Sequence, residues 1–427
     1  MRVYRRPTYP EMLNECRRQL DAPDGRRLPT PPLPLLITGV TGVAGYGTLA
    51  YFQSRFPGQV FGAVQETDVD FPAPDLIYAD LRDYAALERL LDEKRIAAIL
   101  DCAGNCALKA CQLDPPLAWA LNVEIVSNLA KYAEKRRIRL VHLSVDMVFG
   151  GRPGGGYRDD EPTCPVNVYG QTMVAGEREV ADLCPSAATL RISMPMTVSY
   201  NGHAGAIDWI ASRFRVDRPA TLYYDEVRTP TYVDEMSRVF QEFLANDFAG
   251  ILNCGGKRQV SLNQMAQIVN RTGGFDPELL FGMLIEESCP VPPRVRNCSL
   301  DSSKLAEVLG YEPFTPWPGN PEHVPDARDW HIQRRDDEPG SIPYMNRVLG
   351  FSPRLYRSKE DYLRDLFSTF DSAINFLSNT RRKRNIAAKY RPIFYVDGKI
   401  GAFRRFLKKF RQKQSTLRKK REDAAFF

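Results

Sequence analysis

The sequence is 427 residues long, and its hydrophobic (43%) and charged (26%) fractions are ordinary for a soluble globular protein. No apolar run reaches the roughly 18 residues that a membrane span needs, and residues 1–30 lack the apolar core of a signal peptide. We therefore expect no membrane span and a cytoplasmic location. The nine cysteines are scattered, without histidines at zinc spacing, which favours reduced thiols and predicts no metal site.

The formal net charge of +6 conceals an uneven distribution. Residues 381–427 carry 17 lysines and arginines against 3 acidic residues, a net charge of +14, whereas residues 1–380 carry a net charge of −8. Segregation of this kind predicts an anionic partner for the C-terminal tail and not for the body.

The first 34 residues are predicted to form an extended arm. They are basic and end in PTPPLP, a segment that favours polyproline-like structure. We expect this arm to pack on the surface or to remain mobile.

A dinucleotide-binding loop is predicted directly after the arm. A short strand (Leu35 to Thr38) is followed by Gly39, Gly42 and Gly45, and a helix continues through Phe56. Glycines allow a tight turn and a close approach to a pyrophosphate, and the helix N-terminus supplies amide donors for the anion. The alternative is a purely structural glycine turn. The other loop residues assigned to the cofactor are Thr41, Val43 and Ala44.

A second strand, Val60 to Val64, leads to Gln65 and Glu66. An acidic residue at this point of a dinucleotide fold binds the adenosine ribose, so Glu66 or Gln65 is the candidate. No arginine stands nearby to hold a 2′-phosphate, which favours NAD over NADP. A helix is predicted from Tyr84 to Lys94. Asp80 is a candidate N-cap for it; a cofactor contact is the alternative, and the two roles are compatible.

The central stretch of the chain, residues 142 to 178, combines a strand, a long glycine-rich loop and a helix. The strand is predicted from Leu140 to Phe149, and the helix begins near Tyr169. This arrangement places a polar residue at the strand end and a helix tyrosine around one reacting carbonyl. Further strands are predicted from Ile96 to Ala103 and from Ala188 to Ser193.

These residues resemble the dTDP-4-dehydrorhamnose reductase family of the extended short-chain dehydrogenase/reductases. The family strand reads roughly S-T-D-Y-V-F and its helix Y-G-K-T-K-L-x-G-E, and here SVDMVF and YGQTMVAGE take their places. Six segments match in order over about residues 35–315, including AGNCALKACQLDP, ATLRIS, DEVRTPTYVDEMS and LDSSKL. The resemblance implies an α/β fold with a Rossmann-type doubly wound parallel sheet and a smaller C-terminal substrate subdomain.

The resemblance also implies a function and a set of site residues. A nicotinamide hydride, from NAD or NADP, would go to C4 of a nucleotide-linked 4-keto sugar, and Tyr169 would protonate the oxygen. Asn122 matches a family asparagine, although a polar residue tying down a neighbouring strand is the preferred interpretation. Further cofactor contacts implied by the resemblance are Asp80, Leu81, Cys102, Ala103 and Gly104, and the implied substrate contacts are Asn105, Asn167 and Arg191.

Two catalytic positions of the family are replaced. Val145 stands where the family has threonine, and Met173 stands where it has lysine. Without the lysine, we expect Tyr169 to keep its ordinary pKa of about 10. Loss of the oxygen-holding hydroxyl typically costs about 10² to 10³ in rate. Ser144 does not replace it, because adjacent strand residues face opposite sides of a sheet. Thr172 or a water is the alternative donor.

These features divide the chain into an arm (1–34), a dinucleotide-binding domain (35–200), a substrate subdomain (201–315) and a helical extension with a basic tail (316–427). An amphipathic helix from Tyr362 to Leu377 would dock on the body or on a second subunit, making a homo-oligomer. Residues 403–411 place three phenylalanines and a leucine on one helical face among basic residues. An anionic membrane surface is the favoured partner, ahead of a protein and of nucleic acid, so the protein would lie peripherally at the inner membrane surface.

The sequence predicts a sugar-nucleotide reductase with weakened catalysis. The alternative is a non-catalytic regulatory or scaffold subunit that binds NAD(P) and a sugar nucleotide. Retained turnover would distinguish the two.

Overall fold

The structure, a computed structural model, describes residues 7–19, 25–65, 70–202, 204–333, 340 and 342–355. Thirteen strands lie in this part of the chain: β1 Leu35–Ile37, β2 Val60–Val64, β3 Leu76–Tyr78, β4 Ala98–Asp101, β5 Arg139–Val145, β6 Ala188–Ile192, β7 Pro195–Met196, β8 Ala220–Tyr223, β9 Val227–Arg228, β10 Thr231–Tyr232, β11 Gly250–Cys254, β12 Val260–Ser261 and β13 Leu280–Met283.

Twelve α-helices lie in the same ranges: α1 Tyr9–Arg18, α2 Val43–Arg55, α3 Tyr84–Glu93, α4 Leu108–Leu113, α5 Pro115–Trp119, α6 Ile125–Arg136, α7 Val168–Leu183, α8 Gly205–Arg215, α9 Val233–Ala245, α10 Leu262–Thr272, α11 Ser303–Leu309 and α12 Ile342–Gly350. A π-helical turn, Ala120–Glu124, joins α5 to α6.

Seven parallel strands form the central sheet in the order β11-β6-β5-β4-β1-β2-β3. Its central strands are buried on both faces because helices cover both sides. On one face the core joins β1 to α2, α9 and α11, and on the other it joins β1 and β4 to α3 and α6. This is the predicted Rossmann-type doubly wound fold. The strand order reverses between β1 and β4, which is where ligands bind in such sheets.

A second, smaller core lies beside the sheet. It is built from α8, α10 and α12 with the paired strands β8 and β13, and it encloses Trp317 and Trp330. We call it the small lobe, and the sheet with its covering helices the large lobe.

The predicted boundary at residue 200 is wrong as a division between two continuous segments. After α8 and β8, the chain returns to the large lobe through α9 and β11, and β11 pairs in parallel with β6 over its whole length. The range 201–315 therefore contains the small lobe and also the elements that complete the sheet.

The N-terminal arm is not wholly extended, because it contains α1. The Glu11 carboxylate accepts a hydrogen bond from the Thr8 amide (2.7 Å) and so closes the first turn of the helix. Tyr9, Met12 and Cys16 fall on one face and are buried against the large lobe. The prediction extended the polyproline-like structure expected for PTPPLP to the residues before it, where α1 forms instead.

Two further predictions need correction. Strand β5 ends at Val145, four residues early, because Asp146–Val148 turn into a 3-10 helix. The N-cap of α3 is Asp83, which accepts from the Ala86 amide (3.0 Å), whereas Asp80 pairs with Arg82.

Three predictions concern residues outside the described ranges: Glu66, the amphipathic segment at 362–377 and the basic tail at 381–427. No helix within the described ranges is long and apolar enough to cross a membrane.

Candidate active site

The glycine loop between β1 and α2 lies against the end of β4. A Cβ atom on Gly39 would lie 2.0 Å from the carbonyl oxygen of Cys102, and the φ of +61° there also requires glycine. A Cβ on Gly45 would lie 2.3 Å from the Gly39 oxygen. Gly42 is the N-cap and no side chain caps the helix there, so the first amides of α2 lack partners within the helix. This open turn ahead of a helix N-terminus fits a dinucleotide pyrophosphate.

Beneath the loop, three strand ends are linked by buried hydrogen bonds. Thr38 donates to Asp101 (2.5 Å), and its oxygen accepts from the amides of Cys102 (3.1 Å) and Ala103 (3.2 Å). His142 Nδ1 lies 2.8 Å from the second Asp101 oxygen. This network fixes the turn after β4 against the glycine loop. The sequence analysis missed it, although polar residues ending two apolar strands were the available signal.

Asp80 and Leu81, assigned to the cofactor by resemblance, lie in the loop between β3 and α3. Asp80 is half exposed, and its hydrogen bonds with Arg82 hold the pKa of the carboxyl below its usual value. The carbonyl oxygens of Leu81 and Arg82 accept from Asn128 (3.1 and 2.9 Å), which ties this loop to α6.

The turn after β4 is fastened to α7 through Asn122. Its Oδ1 accepts from the Asn105 amide (2.6 Å), and its Nδ2 donates to Thr172 (2.9 Å). Thr172 in turn donates to the Tyr169 carbonyl (2.9 Å) and is buried. Its hydroxyl is therefore engaged within the helix contact, which counts against its serving as the substitute donor. Asn122 therefore ties a loop to a helix. This is close to the preferred interpretation, in which it ties down a neighbouring strand.

Tyr169 is placed by the first turn of α7. Asn167 caps the helix by accepting from the Gly170 amide (2.9 Å) and donates to the Pro293 carbonyl (3.1 Å). A Cβ on Gly170 would lie 2.3 Å from the Met147 carbonyl oxygen, so glycine lets the helix approach the end of β5. Asn167, assigned to the substrate by resemblance, here has both ends of its amide in structural hydrogen bonds.

The surroundings of Tyr169 are largely apolar. Tyr169, Met147 and Met173 share one buried cluster, with Val145 at its edge. Burial raises the pKa of Tyr169 well above its usual value, Cys106, Asp146 and Cys111 raise it further, and Arg228 opposes them. The expectation of an ordinary pKa was wrong because it considered the missing lysine and not the desolvation of the hydroxyl.

Arg191 lies in a buried ion pair beneath the site. Its Nε and Nη2 atoms each bind a Glu177 oxygen at 2.8 Å, and Ser144 donates to the same carboxylate (2.5 Å). These side chains are almost wholly buried, so the group holds α7 against β5 and β6. The arrangement supports a packing role for Arg191 rather than a substrate contact, and it turns Ser144 away from Tyr169.

A second buried charge cluster joins the two lobes beside Asp146. Asp146 accepts from Ser193 (2.5 Å) and lies 3.6 Å from Arg228 Nε, and Arg228 also binds Glu226 (2.9 Å) and the Cys298 thiol. Burial raises the pKa of Asp146 and of Glu226, and the Arg228 guanidinium opposes both shifts. Sequence reasoning did not identify this cluster, because its members are far apart in the chain.

A sequence model of the family described as RmlD substrate binding domain matches residues 34–323. The chain belongs to this family. The resemblance to dTDP-4-dehydrorhamnose reductases is therefore confirmed, and α1 and α12 lie outside the matched segment.

Relatives by sequence have different functions. A probable low-salt glycan biosynthesis reductase of Haloferax volcanii is 25% identical over 276 residues, which cover 64% of this chain and 91% of the relative. A dTDP-4-dehydrorhamnose reductase of Streptomyces griseus is 29% identical over 248 residues, which cover 56% of this chain and 80% of the relative. The methionine adenosyltransferase 2 subunit beta of Xenopus tropicalis is 27% identical over 288 residues, which cover 66% of this chain and 84% of the relative.

Solved structures of the same fold carry nicotinamide cofactors. The Bacillus anthracis dTDP-4-dehydrorhamnose reductase in complex with NADP has a TM-score of 0.57 at 18% identity, and covers 66% of this chain and 95% of its own. The Thermus thermophilus UDP-glucose 4-epimerase complex with NAD has a TM-score of 0.58 at 20% identity. The match covers 70% of this chain and 99% of the epimerase chain. These likenesses show the fold.

Proposed function

We propose that the protein binds NAD or NADP and reduces the C4 ketone of a nucleotide-linked 4-keto sugar, with turnover weakened by Val145 and Met173. The observation that carries the proposal is a glycine loop packed so closely that a Cβ on Gly39 or Gly45 would collide with backbone atoms. The turn after β4, against which Gly39 packs, is tied through Asn122 to α7, whose capped first turn holds Tyr169. Family membership and the relatives named as reductases support the same reaction.

In this proposal the residues have separate tasks. Gly39, Gly42 and Gly45 give the cofactor pyrophosphate access to the amides of α2, and the turn at Cys102 to Gly104 passes beneath it. When bound, a reduced nicotinamide supplies the hydride for C4. The Tyr169 hydroxyl donates its proton to the carbonyl oxygen, which completes the alcohol. A raised pKa keeps Tyr169 in this acid form, which suits reduction and disfavours alcohol oxidation at neutral pH.

The two replaced residues explain why turnover should be weak. Val145 offers no hydroxyl to hold the developing oxyanion, and Met173 offers no cation to hold the ribose or to assist Tyr169. The loss of one such donor typically costs about 10² to 10³ in rate. In this proposal the chain keeps the glycine loop for binding and Tyr169 for proton donation, and it lacks the threonine hydroxyl and the lysine ammonium.

A second candidate function is binding without catalysis. It is favoured by the two apolar replacements together with the similarity to a methionine adenosyltransferase beta subunit, a relative named as a subunit and not as a reductase. In this case the dinucleotide would order the glycine loop for a partner protein.

Calorimetric titration with NADH and NADPH tests the binding, and turnover of a dTDP-4-keto-6-deoxy sugar separates the two candidates. Gly39→Ala should abolish binding, because its methyl group would collide with Cys102. Gly58→Ala is the matched control, since Gly58 has a similar φ of +73° and no atom within 4 Å of the added methyl group. Absence of binding heat for the unmodified protein up to millimolar cofactor would contradict both candidates.

A further inference from the structure

Segments near both ends of the described part of the chain converge on the first turn of α9. Three charged residues of that turn and the next, Asp234, Glu235 and Arg238, are each no more than 2% exposed. Buried charges of this kind require partners. Their partners come from before residue 34 and from residue 315 onward.

The N-terminal partner is Gln19, which follows α1. Its amide nitrogen donates to Asp234 Oδ2 (2.9 Å), and its oxygen accepts from Arg238 (3.1 Å). Helix α1 is fixed to the large lobe independently, since Tyr9 donates to Gln53 of α2 (2.8 Å) and its ring lies 5.8 Å from that of Tyr46. Gln19 therefore links α1, which packs on α2 through Tyr9, to α9.

The C-terminal partners are Ser352 and Thr315. The Ser352 amide donates to Asp234 (3.1 Å) and its hydroxyl to Glu235 (2.6 Å), while Thr315 donates to Glu235 through its amide (2.8 Å) and its hydroxyl (2.6 Å). The preceding helix, α12, is part of the small lobe, and its Leu349 carbonyl accepts from the Trp317 indole (2.8 Å).

The two segments also contact each other. Glu15 of α1 and Arg347 of α12 form an ion pair in which the arginine side chain is only 4% exposed. One segment is built into the large lobe and the other into the small lobe, and both meet on α9.

We propose that two groups of residues form one lock that fixes the small lobe to the large lobe, with the first turn of α9 as its socket. One group is α1 with Gln19, and the other is Thr315, α12 and Ser352. The lock also braces the cofactor side of the fold. Tyr46 follows Gly45 directly, and its ring packs against Tyr9 of the lock, against Phe71 (5.8 Å) and against Tyr200 (5.9 Å). The mechanical role stands without the proposed reductase function.

Native-state hydrogen exchange on the full chain tests the lock. In the unmodified protein, amides of α1 and α12 should open in one step, with equal opening free energies and equal denaturant dependence. Opening of α1 alone, at lower denaturant than α12, would overturn the proposal. This measurement needs no variant that could fail to fold.

Two substitutions then test the coupling. Gln19→Ala should speed exchange in α12 by about fivefold to tenfold, although it removes no contact of α12, because one lost hydrogen bond loosens the whole lock. Ser352→Ala should do the same in α1, and the double variant should be less than additive. Arg17→Ala, on the exposed face of α1, should change neither. Acceleration confined to the substituted segment would show two separate appendages.

Binding of NADH distinguishes failure of the lock from failure of the proposed function. If the lock braces the glycine loop, Gln19→Ala should weaken NADH binding by about threefold to tenfold while Arg17→Ala leaves it unchanged. Coupled exchange without any NADH binding in the unmodified protein would keep the lock and reject the cofactor proposal.

Discussion

Tyr169 illustrates how one side chain depends on neighbours that do not touch the substrate. Its position is set by the Asn167 cap and by the close approach of Gly170 to Met147, both of which are intact. In the proposed reaction, its chemistry depends on two groups that this chain lacks, at positions 145 and 173. The placement of Tyr169 is thus intact while the groups that would assist its proton transfer are missing. Restoring those groups by substitution is therefore a direct test.

The double change Val145→Thr and Met173→Lys should raise turnover of a 4-keto sugar nucleotide by about 10²-fold or more. Threonine has nearly the shape of valine, whereas lysine at 173 places a charge where the methionine is 3% exposed. The apo form should therefore lose stability, and bound cofactor should restore part of it. Steady-state kinetics and thermal melting with and without NADPH measure both effects.

Adding Tyr169→Phe to the double variant should cancel the gain, because no proton donor remains. A folded, cofactor-binding double variant with unchanged turnover would mean that the substrate side, to which Asn105 was assigned, limits the reaction instead.

The Glu177–Arg191 pair gives a stability prediction at the same scale. Glu177→Gln removes the counter-charge of a guanidinium whose side chain is 4% exposed, and breaking a buried pair typically costs about 3–5 kcal/mol. Urea unfolding should show this loss, whereas Asp182→Asn, the same chemical change at an exposed position of α7, should be nearly neutral. Equal midpoints for the two variants would contradict the structural role of the pair.

Among the elements, those with strong local patterns were predictable and those set by distant partners were not. Strand β2 was predicted to the residue, and the last residues of β1 and α2 to within one residue, because apolar runs and glycines mark them directly. Helix α1 was missed because its buried face exists only against α2. The end of β5 was misplaced because Asp146 turns toward Ser193 and Arg228, residues far along the chain.

The site divides in the same way. Tyr169 and the glycine loop were found from local motifs, although the tyrosine pKa was misjudged because its burial depends on the packed cluster. The Thr38–Asp101–His142 network could have been suspected from polar strand ends. The Arg228 cluster could not, because no local pattern brings residues 146, 226 and 298 together.

Helix α9 should make folding stability depend on pH. Burial raises the pKa of Glu235 to about 7, the Asp234 carboxylate also raises it, and hydrogen bonds from Ser352 and Thr315 oppose the shift. Arg238 and Glu15 are the other charged groups near this acidic pair. A carboxyl with a raised folded-state pKa stabilises the fold when protonated. Its contribution is therefore full below its unfolded pKa near 4.5 and is lost as the pH rises through 7.

The free energy of unfolding should consequently fall by up to about 3 kcal/mol between pH 5 and pH 8. Glu235→Gln, which stays neutral, should flatten this dependence. Urea titrations at several pH values measure it, and a profile with the same slope in both proteins would assign the pH effect to other groups.

At the scale of the whole molecule, the charge is divided between a body of −8 and a tail of +14. We expect the full chain to float with vesicles containing anionic lipid, and a chain ending at residue 380 to remain in solution. Binding should weaken as salt screens the tail. Vesicles of neutral lipid are the control, and equal flotation of the two chains would rule out an electrostatic tail anchor.

The spacing of the lock along the chain has a consequence for biosynthesis. Gln19 and its acceptor Asp234 are separated by 215 residues, and Ser352 follows Asp234 by another 118. At a synthesis rate of about 5–20 residues per second, α1 leaves the ribosome roughly 10 to 40 seconds before its socket is made. During that interval its apolar face, with Tyr9 and Met12, has only part of its final surface to cover it. Helix α1 is therefore synthesised well before the residues of α9 that secure it, and nascent chains should be prone to chaperone capture through this segment.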